Sequence, residues 1–269
     1  MEGSKLRLSR VLPPGERSVV VAVDHGQTFG PMPGLEDFAA ALQRLGEADG
    51  VLLAPQMVRF SGDLFVGRRR PAMIVRLNWN TVHCEPWHYQ TAHIVKAFSP
   101  QSALALGADA VMVGIALQTG DEANDAENVA LFARLTEESA ALGLPVIGEV
   151  FPLPALRMQP EAFHDYILKG CRIACELGAD AIKTFYTGER FAEVVAGSPI
   201  PIFALGAEKL PHEIDALILA QRAVGAGAAG VVYGRNVLQA RDPAAFLRAL
   251  KDVVAGRALP QDAARDLAG

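Results

Sequence analysis

Short apolar runs recur along the chain at near-even spacing. Polar or turn residues close each run, and a stretch follows in which apolar positions return every three or four residues. The runs SVVVAVDH (18–25), GVLLAPQ (50–56), PAMIVRLN (71–78) and AVMVGIAL (110–117) read as strands. So do PVIGEVF (145–151), AIKTFY (181–186), PIFALG (201–206) and GVVYGRN (230–236). Segments between them, such as AENVALFARLTEESAALG and EAFHDYILKGCRIACELG, carry the helical period. Continuously apolar strands alternating with helices predict a parallel sheet covered by helices.

A weak repeat supports this pattern. LGADAVMV (106–113), LGADAIKT (177–184) and AGAAGVVY (226–233) share one form, with EADGVLLA (47–54) a looser fourth copy. In each full copy a glycine ends a helix in the left-handed conformation and a strand follows almost at once. Eight such units over about 250 residues predict an α/β fold, a single-domain (β/α)8 TIM barrel. A doubly wound open sheet competes, but it calls for a G-x-G-x-x-G turn after the first strand, and none is present. The barrel is assigned to residues 18–256. Residues 1–17 form an N-terminal extension expected to pack across the barrel bottom or a neighbouring subunit, and 257–269 a loosely held tail.

Composition narrows the partners. The net charge of −5 carries no basic footprint for nucleic acid, and the one basic run, Arg68 to Arg70, reads as a loop or subunit contact. The start MEGSKLRLSR lacks the apolar core of a secretory signal, and no apolar run is long enough to span a membrane. Three cysteines, two of them spaced as neighbours on one helix face (Cys171 and Cys175), fit a reducing cytoplasm better than a disulfide framework.

In a (β/α)8 barrel, polar residues at the C-terminal strand ends converge on one open face. That rule gathers Asp24 and His25, Arg76 with Asn78 and Asn80, Glu149, Lys183 and Tyr186, and Arg235 with Asn236. Lys183 stands out because it sits within an otherwise apolar strand. An amine attacks a carbonyl only when unprotonated, and burial favours the neutral form. The resulting iminium is an electron sink that stabilises a neighbouring carbanion, which is what C–C bond chemistry needs. The competing reading is a structural lysine paired with Asp24 or Glu149. Gly206, Gly234 and Arg235, in the loops after the seventh and eighth strands, sit where such barrels bind phosphate. The stretch HCEPWH (83–88) fits no standard zinc spacing and reads as a loop over the mouth, so no metal is expected.

Three motifs then carry a resemblance. AVDHG followed by Gly30-Pro31, LGADAIKTFYTG, and GRNVLQ followed by Asp242-Pro243 resemble the class I aldolases of the archaeal fructose-bisphosphate aldolase type. That wider family includes deoxyribose-phosphate aldolase, aminodideoxyheptulosonate synthases and a thiolase acting on a phosphorylated dione. The likeness runs from Val19 to Val254. It implies a Schiff-base enzyme needing no cofactor beyond its own lysine, a homo-oligomer, and a phosphorylated carbonyl substrate. By position Lys183 matches the Schiff-base lysine, Asp24 a carboxylate near it with His25 following, and Gly206, Gly234 and Arg235 the phosphate loops.

Two departures stand out. Where the aldolases and heptulosonate synthases carry an acid/base tyrosine, this chain has Phe151, whose phenyl ring cannot move a proton. Glu149, two residues earlier on the same strand face, is the preferred substitute, with His25 and Tyr186 as other candidates. Leu205-Gly206 also replaces the family's usual Gly-Gly pair. The leading expectation is a lyase. A dione thiolase with a thiol acceptor is the alternative, and a non-catalytic phosphate-binding barrel the third.

Overall fold

The computed structural model describes residues 2–84, 87–89, 91–153 and 158–268. The chain opens with α1 (Glu2–Val11), β1 (Ser18–Ala22), α2 (Gly26–Phe29), α3 (Phe38–Gln43) and β2 (Gly50–Leu53). A 3-10 helix (Pro55–Phe60) leads to β3 (Ala72–Arg76). Next come β4 (Asn78–Asn80), a 3-10 turn (Thr81–His83), β5 (Ile94–Lys96), α4 (Pro100–Ala105) and β6 (Ala110–Ile115). Then follow α5 (Glu122–Ala141), β7 (Val146–Val150), α6 (Pro160–Glu176), β8 (Ala181–Phe185), α7 (Phe191–Gly197) and β9 (Ile202–Leu205). The chain finishes with α8 (Glu213–Gly225), β10 (Gly230–Tyr233), α9 (Arg235–Leu238), α10 (Pro243–Val254) and α11 (Pro260–Ala268).

Eight parallel strands close into a barrel in the order β1-β10-β9-β8-β7-β6-β3-β2, and β4 and β5 form a separate antiparallel pair. All eight expected strands are present, each one to three residues shorter than its apolar run. The second unit departs from the ideal, since β2 is followed by the 3-10 helix alone. The β4–β5 pair is absent from the sequence reading because two three-residue strands are too short to show a period.

Alternation along the strands makes two cores. Val20, Leu52, Ile74, Met112, Ile147, Phe203 and Val232 point into the barrel. Their neighbours Val19, Val21, Val51, Leu53, Val75, Val111 and Val231 point outward against the helices. The buried Val11 of α1 joins the inner cluster, with Leu8 and Leu12 beside it, so the N-terminal helix stoppers the barrel bottom. α11 packs on α8 and α10 and buries Ala263, so the segment after Gly256 is a docked helix rather than a loosely held tail. α10 is capped by Asp242, whose carboxylate accepts from the Ala244 and Ala245 N–H groups, with Pro243 in the first turn.

The glycines of the repeat, Gly107, Gly178 and Gly227, have φ of 94°, 102° and 103°. Each turns its helix end directly into a strand, as the repeat predicts. Among the described residues no helix is long and apolar enough to cross a membrane.

Candidate active site

Inside the barrel β1, β3, β7 and β8 switch from apolar to polar as they near their C-terminal ends, while keeping the same inward parity. On β3 the inward series is Ala72, Ile74, Arg76; on β7 it is Ile147 then Glu149; on β8 it is Ala181 then Lys183. On β1 the series Val20, Ala22 continues to Asp24. Register brings Gly114, Glu149 and Lys183 side by side on β6, β7 and β8. An ideal Cβ at Gly114 would lie 3.6 Å from Glu149 Oε2 and 3.8 Å from Arg76 Nη1, so nothing beyond a methyl fits there. The short residue makes room for the charge cluster beside it.

These polar groups form one linked set. Arg76 donates through Nε to Asp24 and pairs through Nη2 with Glu149 Oε2 at 2.8 Å. Lys183 Nζ donates to Glu149 Oε1 at 2.5 Å. Four charged side chains, all nearly buried, thus alternate in sign. Burial opposes the charge on Glu149, yet Arg76, Lys183 and His83 together hold its carboxyl well below the usual range. Burial likewise pushes Asp24 up, and Arg76 and then Lys183 more than offset it. Burial lowers Arg76, but the two carboxylates prevail and raise it. Glu149, not Asp24, is the direct partner of the lysine, and Asp24 engages Arg76.

Above the set opens a cavity of about 680 Å³ lined by Asp24, His25, Arg76, Glu149, Lys183, Gly206, Gly234 and Arg235. The catalytic and phosphate-binding candidates expected from the sequence meet here, with one exception. Tyr186 does not; its ring packs on Phe191 at 5.3 Å between centroids. Parity explains the correction: Lys183 and Phe185 face the cavity, and Tyr186 takes the opposite side.

His25 follows Asp24 into the first turn of α2, where burial pulls its imidazole down to about 4. Its Nδ1 is buried without a hydrogen-bond partner among the described residues. The ring presses on Gly234, where an ideal Cβ would fall 2.2 Å from His25 Cε1. At Gly206 a Cβ would meet Tyr233 Cδ1 at 2.7 Å, and the Gly206 N–H is committed to Val232 O at 3.2 Å. Both glycines therefore allow close packing under the loops. Asn236 pins the β9 loop, donating to the carbonyls of Gly206 and Glu208 and accepting from Leu210 N–H. Asn78 is likewise structural, with its amide bonded both ways to the Gly114 backbone.

Sequence reasoning missed His83. It ends the 3-10 turn that follows β4, with Nε2 3.1 Å from Glu149 Oε2, and it lines the cavity. Its ring stands edge-on to Phe151 at 4.7 Å. The one available signal was a histidine in the loop after the third strand, and HCEPWH was weighed only as a metal motif or a cover. Within that stretch Glu85 and Pro86 lie outside the described residues. Among the described residues no three metal-ligating side chains cluster.

Comparison with known proteins places this geometry. An uncharacterized aldolase of Saccharolobus solfataricus is 30% identical over 94% of this chain and 95% of its own. A 3-hydroxy-5-phosphonooxypentane-2,4-dione thiolase of Yersinia enterocolitica is also 30% identical, covering 94% of this chain and 82% of its own. The crystal structure of an archaeal fructose 1,6-bisphosphate aldolase superposes with a TM-score of 0.80 at 27% identity, over 94% of this chain and 99% of that one. Another structure of an archaeal fructose-1,6-bisphosphate aldolase, with the catalytic lysine covalently bound to the carbinolamine intermediate, superposes with a TM-score of 0.79 at 28% identity over 94% of this chain and 100% of that one. The DeoC/LacD family aldolase profile matches residues 18–240. The chain belongs to the DeoC/LacD aldolase family and is a lyase of the class I kind, which works through a covalent lysine Schiff base without a cofactor.

Proposed function

We propose that Lys183 is the Schiff-base lysine of this aldolase and that its substrate is a phosphorylated ketose or related keto compound. The observation that carries the reading is the place of Lys183. It is the one lysine among the described residues lining the cavity, at the C-terminal end of β8, where barrel enzymes keep their chemistry. Its Nζ adds to the keto carbon, and loss of water gives an iminium. The iminium then draws in the electron pair of the adjacent C–C bond. Asp24 and Glu149 hold Arg76 in place, and Arg76 Nη1, a buried donor without a partner among the described residues, is left to face a substrate oxygen.

The phosphate goes to the β9 and β10 loops, where Gly206, Gly234 and Arg235 line the cavity and Arg235 supplies the cation. The archaeal relatives act on fructose 1,6-bisphosphate, which supports a phosphorylated substrate without fixing which one. The protein works in the cytoplasm, consistent with three free cysteines, and as a homo-oligomer, which size-exclusion chromatography with light scattering tests.

Borohydride trapping tests the central reading. Wild-type protein incubated with dihydroxyacetone phosphate and borohydride should gain a mass adduct on the peptide carrying Lys183, and Lys183→Met should gain none. Equal labelling of the variant would remove the assignment.

Phe151 favours a second reading. The Yersinia relative, a thiolase on a phosphorylated dione, is as similar to this chain as the aldolase relative, and Phe151 cannot supply the aldolases' tyrosine hydroxyl. Turnover of such a dione that requires coenzyme A and consumes it mole for mole would decide for the thiolase.

A further inference from the structure

We propose that His83, oriented by Glu149, is the acid/base that moves the proton during C–C bond cleavage and formation. The inference rests on Lys183 being the Schiff-base lysine. One carboxylate spans both groups: Oε1 takes the lysine Nζ at 2.5 Å and Oε2 faces His83 Nε2 at 3.1 Å. With Nε2 carrying the hydrogen toward Glu149, the ring presents Nδ1 as its proton acceptor. His83 lines the same cavity as Lys183 and stands edge-on against Phe151, so an imidazole sits beside the position where the related aldolases carry a tyrosine.

Glu149 does not fill the role itself. Its two oxygens already take Lys183, Arg76 and His83, and this company keeps it ionised, so it has no proton to give at neutral pH. Phe151 has none to give either. His25 lines the opposite flank, against Gly234.

The chain holds His83 in place from three directions. Buried Asn80 accepts from Val82 N–H at 2.9 Å and caps the turn that ends in His83. Thr81 Oγ1 donates to Thr91 O at 2.7 Å and accepts from His93 N–H at 2.8 Å, which closes the hairpin. Trp79 Nε1 donates to Gln27 O at 3.1 Å and ties the whole excursion to α2. A loop whose task was only to cover the mouth would not need its histidine fixed on the buried carboxylate that also holds the lysine.

In cleavage, the hydroxyl hydrogen on the carbon β to the iminium passes to His83 Nδ1, the bond between that carbon and its α neighbour breaks, and its electron pair neutralises the iminium nitrogen. An aldehyde leaves and an enamine remains. The imidazolium returns its proton to the enamine α carbon, and water hydrolyses the restored iminium, freeing the ketone and Lys183.

His83→Gln is the informative variant, because its amide still donates to Glu149 but neither accepts nor returns a proton. It should keep the borohydride adduct on Lys183 with dihydroxyacetone phosphate while aldol turnover of that donor falls about 10²–10⁴-fold, with KM changed little. Deuterium exchange into the α carbon of dihydroxyacetone phosphate in D2O, readable by NMR, should vanish with it. His83→Gln/Phe151→Tyr should regain part of both, since it restores a titratable hydroxyl on the ring whose centroid lies 4.7 Å from that of the wild-type imidazole. Turnover and exchange within threefold of wild type in His83→Gln would overturn the proposal. So would loss of the adduct in a variant that still unfolds at the wild-type temperature, because that places His83 in Schiff-base formation. Failure of the wild type itself to form an adduct would instead remove the Schiff-base reading beneath.

Discussion

Two carboxylates, Asp24 and Glu149, lie buried against a single guanidinium, the strongest of the charges that offset their burial. Removing one partner of a buried ion set strands the other charges, which typically costs about 3–5 kcal/mol. Arg76→Met should therefore lower unfolding free energy in urea by that amount. Arg76→Lys should recover only part, because an ammonium cannot reach both carboxylates with a planar fork. Wild-type stability in both variants would show that the set contributes nothing to folding. These same residues were the legible part of the site, since a charge inside an apolar strand is conspicuous and the two-residue period gives its direction. That period also explains the failure at Tyr186, which was grouped with Lys183 by proximity in sequence although its parity is opposite. His83 was hidden for a different reason. It sits in a loop with no period, and its partner Glu149 is 66 residues away.

At the level of elements, the repeat carries more than its glycines. Asp180, three residues before Lys183, accepts from Val146 N–H at 2.8 Å, where β7 begins. Asp109 does the same for Met73 N–H at the start of β3, and Asp49 for Val19 N–H in β1, each at 2.8 Å. Three copies of the repeat thus fasten the lower ends of neighbouring strands through a carboxylate, and the looser copy EADG keeps that aspartate though it lacks the positive-φ glycine. Asp180→Ala leaves a strand N–H unpaired and should cost about 1–3 kcal/mol in urea unfolding with kcat unchanged, because the clamp lies at the end of the barrel away from the cavity. A matching fall in kcat would tie the clamp to the site. The eight strands were readable because they are apolar on both faces, whereas the β4–β5 pair alternates over three residues only. Its hold on the molecule is also testable. Trp79→Phe removes the hydrogen bond to Gln27 O, and the freed hairpin should lower kcat several-fold while the Lys183 adduct still forms.

For the molecule as a whole, the site imposes a pH dependence on stability whose sign follows from its buried groups. His25 falls from 6.5 to about 4 on folding because burial disfavours the imidazolium. Between those values the unfolded chain binds a proton that the folded chain refuses, so stability rises with pH across the window and falls as acid is added. The contribution is fully present above pH 6.5 and is worth at most about 3 kcal/mol, since part of the ring borders the cavity. Asp24 and Glu149, both held below their ordinary range, act in the same direction further down, with stability present above the unfolded carboxylate range and lost as pH drops beneath it. The barrel should therefore lose stability in two stages, the first between about pH 6.5 and 4 and the second below it. Urea midpoints at pH 7.5, 5.5 and 4.5 measure the first stage. His25→Asn should flatten that stage and leave the second intact, because asparagine does not titrate and Asp24 keeps its bond to Arg76. If wild type and His25→Asn lost stability in parallel from pH 7.5 to 4.5, the imidazole would not be the group that refuses the proton. The early loss would then belong to charges outside the barrel mouth.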